Sequence, residues 1–296
     1  SVSFGLEKNP GFQLTVSLIR KLVYGMMYGD LIMWVANQVR PYEVNAGATD
    51  LRVEGWVQRL VDRFQQGKGM SRRQMRAIFD EICADFAAIP VAGEPKVRVG
   101  IVGEIYVKFS ALGNNHLEQF LLSEGVEPVV PGLTDFMIFK IYNRVADVKL
   151  YGGKWAKKAL CKFFMGYIQS CQKDMIDALN KSGRFRAPGT FDDLHRLVHG
   201  YLGDGNKMGE GWLLTAEMLE LIHSGTNNIV CTQPFGCLPN HIVGKGMIRK
   251  LKDDYPHSNV VAIDYDPSAT KINQENRIKL MLANAKGLAA KAEKEE

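Results

Sequence analysis

Long hydrophobic runs, nucleotide-binding glycine motifs and paired cysteines are all missing from this 296-residue sequence. Each absence removes a class of protein. The most apolar stretch, residues 12–39, is interrupted by Arg20, Lys21 and Asp30, so it predicts no membrane span. No signal-peptide pattern is present. No Gly-x-Gly-x-x-Gly follows the first β-rich run and no Walker A sequence occurs, which argues against dinucleotide binding and ATP hydrolysis. The five cysteines, Cys83, Cys161, Cys171, Cys231 and Cys237, are odd in number and irregularly spaced. They suggest neither a disulfide framework nor a zinc finger, and a reducing cytoplasm is the expected compartment. Basic runs interleaved with aromatics are lacking too, so the net charge of +5 does not predict nucleic-acid binding.

What is present is an ordinary globular composition, 46% hydrophobic and 23% charged, with enough chain for one large core or two modest ones. Residues 1–95 predict a helical region. Leu14, Leu18, Leu22, Met26, Leu31, Trp34 and Val35 recur at helical spacing until Pro41 forbids continuation. Val53, Trp56, Val57, Leu60, Val61 and Phe64 mark a second helix closed by Gly67. Ser71 is placed to cap a third, whose buried stripe is Met75, Ile78, Phe79, Ile82 and Phe86.

The pattern then changes to alternating strand and helix. Residues 97–102 are β-rich, a helix face follows at Leu117, Phe120 and Leu121, Gly125 closes it, and residues 126–130 read as a second strand. A mostly helical insertion is expected at about 150–209, with a stripe of Phe164, Ile168, Cys171, Met175 and Leu179 and a capping pair at Thr190 and Asp193. Helix 210–222, strand 228–231, helix 240–251, strand 259–263 and a last helix from Ser268 complete the chain. The prediction is an α/β fold, a small parallel sheet flanked by helices over residues 96–290, with a flexible tail at 291–296.

Open parallel sheets collect ligands beyond the carboxyl ends of their strands, where loops carry free backbone amides. The loop after the third strand is the most informative, because it places Cys237, behind Gly236 and ahead of Asn240 and His241, at a helix start. The helix dipole and unpaired amides there favour thiolate, the form that ligates metals or attacks electrophiles. A structural thiol tucked under the loop is the competing interpretation. Cys231 ends the strand, facing either the core or the same cavity, where it is a candidate second metal ligand. Glu104, Lys108, Asn114, Asn115 and His116 sit in the loop after the first strand as ligand contacts, although an N-cap role also explains either asparagine. Asp264 and Asp266 flank the end of the fourth strand, and Lys245 lies one turn beyond His241.

The segments Val99-Gly-Ile-Val-Gly-Glu-Ile-Tyr-Val-Lys-Phe-Ser-Ala-Leu-Gly-Asn-Asn115, Pro131-Gly-Leu-Thr-Asp135, Gln233-Pro-Phe-Gly-Cys-Leu-Pro-Asn-His241 and Ala262-Ile-Asp-Tyr-Asp266, with Arg40-Pro-Tyr-Glu43, carry a resemblance. Together they resemble the activase-related proteins of the 2-hydroxyacyl-CoA dehydratase and benzoyl-CoA reductase superfamily. The resemblance implies a shared α/β fold, a [4Fe–4S] or double-cubane iron–sulfur cluster, and a partner ATPase activator, with its own cluster, that supplies low-potential electrons. It also implies that Cys237, in the Pro-Phe-Gly-Cys motif, is a cluster ligand. The other cluster cysteines are then expected upstream of Ser1 or on another polypeptide, making the chain one part of an oligomeric redox assembly. The alternative is an interaction module without its own metal.

Overall fold

The computed structural model describes residues 15–266 and 268–292. The predicted helix start at residues 12–14, Pro267, and residues 293–296 of the predicted tail lie outside the described residues. The architecture is α/β. Four parallel strands, β1 (Arg98–Gly103), β2 (Glu127–Val129), β3 (Asn228–Pro234) and β4 (Asn259–Tyr265), lie in the order β2-β1-β3-β4.

The N-terminal helices form where the apolar spacing predicts them. Helix α1 (Val16–Val39) is capped by the Thr15 hydroxyl, which accepts the Leu18 N–H. Helix α2 (Ala48–Gln65) buries Trp56 and Leu60 but leaves Val57 and Val61 facing water, so its apolar stripe is narrower than the sequence suggests. Helix α3 (Arg72–Ala87) begins with a reciprocal capping box between Ser71 and Gln74, and it buries the expected stripe together with Cys83.

After β1 the chain makes one feature that periodicity misses, a five-residue helix α4 (Ile105–Phe109). Helix α5 (Leu117–Ser123) then leads to β2. The insertion between β2 and β3 is larger than expected and consists of four helices: α6 (Leu133–Tyr151), α7 (Trp155–Ser182), α8 (Phe191–Val198) and α9 (Trp212–His223). The capping box of Thr190 and Asp193 starts α8 as predicted. Phe164, assigned from sequence to the buried stripe of α7, is exposed, because α7 buries no residue before Ile168. The predicted helix 240–251 breaks into α10 (Leu238–Val243) and α11 (Ile248–Asp254) around Gly244. Helix α12 (Lys271–Ala292) ends the described chain.

Helices α1, α2, α3 and α6–α9 share one continuous buried core that reaches one face of the sheet through Val102, Ile229 and Cys231. The other face packs on α5 and α12 through Val99, Ile101, Val230 and Ile263. The N-terminal helices are tied to the sheet loops by Asp30, whose buried carboxylate accepts the Leu133 and Thr134 N–H groups and the Thr134 hydroxyl at 2.9, 2.7 and 2.6 Å. These are the free amides at the start of α6, so Asp30 caps that helix from another element. No described helix is long and apolar enough to cross a membrane.

Candidate functional site

The strand order fixes the place where an open parallel sheet collects ligands. From β1 the chain moves outward to β2, then crosses back to place β3 on the other side of β1. The loops leaving β1 and β3 therefore diverge, and the space beyond their carboxyl ends is the topological switch point of the sheet.

Gly103 brings these two ends together. Its φ of +143° and the absence of a side chain let the Thr232 carbonyl oxygen approach to 1.9 Å from where a Cβ would stand. The next residue, Glu104, donates its N–H to that same oxygen at 3.0 Å. The Glu104 carboxylate then turns back to accept the Val107 N–H at 2.9 Å, which caps α4. The Ile105 N–H donates to the buried Glu210 carboxylate at 3.1 Å, pinning α4 to the segment ahead of α9.

On the β3 side, Pro234 to Cys237 forms a tight turn closed by the Cys237 N–H on the Pro234 oxygen at 3.1 Å. Gly236 occupies the positive-φ position at +76°, which a side chain would strain. Open space surrounds that glycine, so the turn itself explains it. Cys237 is half-buried and stands at the N-cap of α10 without making a side-chain capping bond. Its sulfur instead accepts the amide of Asn240 at 3.2 Å. The Cys237 carbonyl accepts from Nδ1 of His241 at 2.9 Å, and because a carbonyl can only accept, Nδ1 carries the proton.

Behind this turn Gln233 donates Nε2 to Asp264 at 2.5 Å and faces His241 Nε2 at 3.4 Å, while Asp264 lies 3.7 Å from the same imidazole nitrogen. Gln233 and Asn240 are fully buried, and Oε1 of the first and Oδ1 of the second have no hydrogen-bond partner. Sequence reasoning missed Gln233. The signal that identifies it is a wholly buried polar residue at the carboxyl end of a central strand.

The remaining predicted residues are placed elsewhere. Cys231 lies in the core beneath Gly244, where a Cβ would stand 3.0 Å from its sulfur, and burial pushes its thiol up to about 12. Its sulfur faces the core, the first of the two placements that the sequence left open. Asn114 is buried and holds its own loop, donating to the Val107 oxygen at 2.8 Å and accepting the Leu117 N–H at 3.1 Å. Asn115 donates to Gln274 of α12 at 2.7 Å. Lys108 is buried against Glu217 of α9, and His116 is exposed in a left-handed conformation. Lys245 is exposed and out of helical phase with His241, because the chain breaks at Gly244. The structure therefore brings together Gly236, Cys237, Asn240 and His241, ties Glu104 to β3 through the Thr232 carbonyl and to α4 through its carboxylate, and commits Asn114 and Asn115 to holding their own loop and α12.

A small cavity lies away from this site. Trp34, Asn37, Arg98, Arg186, Glu220 and Thr226 line it beside the amino ends of β1 and β3, and its roughly 30 Å³ suits a water or two.

No family model, curated protein or solved structure matches the chain. The fit of an iron–sulfur cluster is therefore judged on the side chains alone. Cluster sites use several thiolates. The turn after β3 presents one cysteine, Cys237, and among the described residues no group of three or more His, Cys, Asp or Glu is arranged to hold a metal ion. The described residues of this chain do not by themselves fit a cluster.

Proposed function

We propose that the chain is one component of an iron–sulfur redox system of the 2-hydroxyacyl-CoA dehydratase type, acting in ATP-driven electron transfer or reductive dehydration of an acyl-CoA. In this assembly Cys237 provides one ligand, another polypeptide provides the remaining thiolates, and an ATPase activator delivers electrons. The observation that carries the proposal is the half-buried Cys237 sulfur at the switch point of the sheet, accepting an N–H from the fully buried Asn240. Hydrogen bonds to sulfur are one of the means by which a protein sets the potential of a thiolate-bound metal centre. The motif Pro-Phe-Gly-Cys places this sulfur on a turn whose geometry is fixed by Gly236 and by two backbone contacts, so its position is set before any partner arrives.

The test is anaerobic purification of the chain with its physiological partners, followed by iron and sulfide analysis. Cys237→Ala is expected to remove most of the bound iron while leaving the circular dichroism spectrum unchanged. Full iron retention in the variant would end the proposal.

A second reading is a docking module without its own metal. The absence of a three-ligand group among the described residues favours it, and it predicts an iron-free complex whose assembly is indifferent to Cys237.

A further inference from the structure

Exposed apolar residues lie beside Cys237 in the chain. Phe235 and Leu238 flank it in the same turn, and Leu238 is 69% exposed. Met208, in the segment ahead of α9, is 74% exposed. That segment touches the Cys237 loop, since a Cβ on Gly209 would lie 3.2 Å from Pro239. It also touches the α6–α7 hairpin, where Lys140 donates to the Gly209 oxygen at 2.5 Å and the Lys207 ammonium sits 4.9 Å from the Tyr151 ring. The segment that carries Met208 thus contacts both the Cys237 loop and the α6–α7 hairpin.

The hairpin surface has a helical pattern. The first three turns of α7 bury nothing. At 100° per residue Trp155, Ala159, Leu160, Phe163 and Phe164 share one side, while Lys154, Lys157, Lys158 and Lys162 share the other. Trp155 is 78% and Phe163 70% exposed. Between Asp147 and Asp174 the sequence contains no acidic residue, so nothing on this stretch neutralises the lysines. An apolar strip edged by one sign of charge is the anatomy of a recognition surface, with the charge choosing the partner.

We propose that the surface running from Phe235 and Leu238, over Met208, to the apolar side of α7 docks a second protein whose contact face is fringed with carboxylates. A second copy of this chain is a poor occupant, because a two-fold contact would set the same lysines against one another. That the docked protein brings thiolates or electrons to Cys237 rests on the function proposed above; the docking itself does not.

The experiment is site-specific photo-cross-linking of the full chain in the cells that make it, with p-benzoylphenylalanine in place of Phe163, of Leu238 or, as control, of Leu51 on α2. Cross-linked peptides are sequenced by mass spectrometry, and the chain is scored with and without the triple change Lys157→Glu, Lys158→Glu and Lys162→Glu. The expected result is one partner polypeptide joined at both Phe163 and Leu238 through peptides rich in Asp and Glu. Charge reversal is expected to lower that yield about tenfold, and arginine at the same three positions to preserve it. Cross-links to a second copy, to lipid, to nothing, or equally from Leu51 would overturn the proposal. Iron analysis of the cross-linked complex separates the two claims. An iron-free complex leaves the docking surface standing and sinks the iron–sulfur function, whereas iron retained without cross-links does the reverse.

Discussion

Lys108 Nζ lies 2.9 Å from Oε1 and 3.2 Å from Oε2 of Glu217, with the two side chains only 2% and 3% exposed. The pair joins α4, the short helix that follows β1, to α9 on the face of the sheet. Burial pushes the Glu217 carboxyl up and Lys108 draws it back, burial being the larger influence. Breaking such a pair leaves an uncompensated charge in the interior, which costs about 3–5 kcal/mol, whereas replacing both partners with apolar groups is close to neutral. Lys108→Met is therefore expected to destabilise the protein by that amount in urea at neutral pH. Lys108→Met with Glu217→Leu is expected to recover most of the loss. A double variant as unstable as the single one would show that the pair is not the source of the cost.

Asp135, in the first turn of α6, is buried and accepts Nε2 of Gln172 at 2.6 Å. Desolvation pushes its carboxyl up to about 8, with Glu217, Asp30 and Glu220 adding repulsion against the single hydrogen bond from Gln172. At this position the folded protein holds a proton that the unfolded chain releases near pH 4, so the stability that Asp135 contributes is fully present below that pH and is lost as pH rises through about 8. One such proton changes stability by up to about 1.4 kcal/mol per pH unit. Burial raises Asp30, Glu217 and Glu220 in the same direction. Asp135→Asn keeps an acceptor for Gln172 and is expected to flatten the stability profile between pH 4 and 8. Denaturant midpoints at each pH measure this, and an unchanged slope would mean that Asp135 is ionised in the folded state.

These long-range partnerships explain what could and could not be read from the sequence. Helices α1 and α3, the Ser71 and Thr190 caps and the alternation that builds the sheet are local patterns, and each forms where its residues predict. Glu217 lies 109 positions from Lys108, and no spacing rule connects them. Asp30 reads in the sequence only as an interruption of an apolar helix, yet it caps α6 from more than one hundred residues away. The break at Gly244 is likewise tertiary, because a Cβ there would meet the Asn240 oxygen at 2.6 Å and the Cys231 sulfur at 3.0 Å. At the candidate site the turn around Gly236 and Cys237 was legible from its Pro and Gly residues. The buried Gln233 behind it was not, since its importance comes from the strands on either side.

Gly103 sets the distance between β1 and β3 at the mouth of the crevice. Any side chain there would strike the Thr232 carbonyl, and a φ of +143° is open to glycine and little else. Relief requires moving β1 away from β3, which breaks the Glu104 N–H bond to Thr232 and the cap of α4. Gly103→Ala is expected to cost more than about 3 kcal/mol, beyond the usual range for a single substitution. Thermal unfolding followed by circular dichroism tests it, and near-wild-type stability would contradict the packing described.

The cysteines divide by burial in a way that alkylation can read. Cys83, Cys171 and Cys231 are buried, and desolvation raises all three thiols, Cys83 and Cys231 to about 12. Thiolate is the nucleophile, so these three present neither access nor the reactive form near neutral pH. Cys161 and Cys237 are half-exposed. Iodoacetamide at pH 8 is expected to label Cys237 and Cys161 of the folded protein first, and to reach the other three only once urea unfolds it. Peptide mass mapping over time gives the order. Labelling of Cys231 as early as Cys237 would place both sulfurs in one accessible crevice, which would restore Cys231 as a metal ligand and contradict the buried position beneath Gly244.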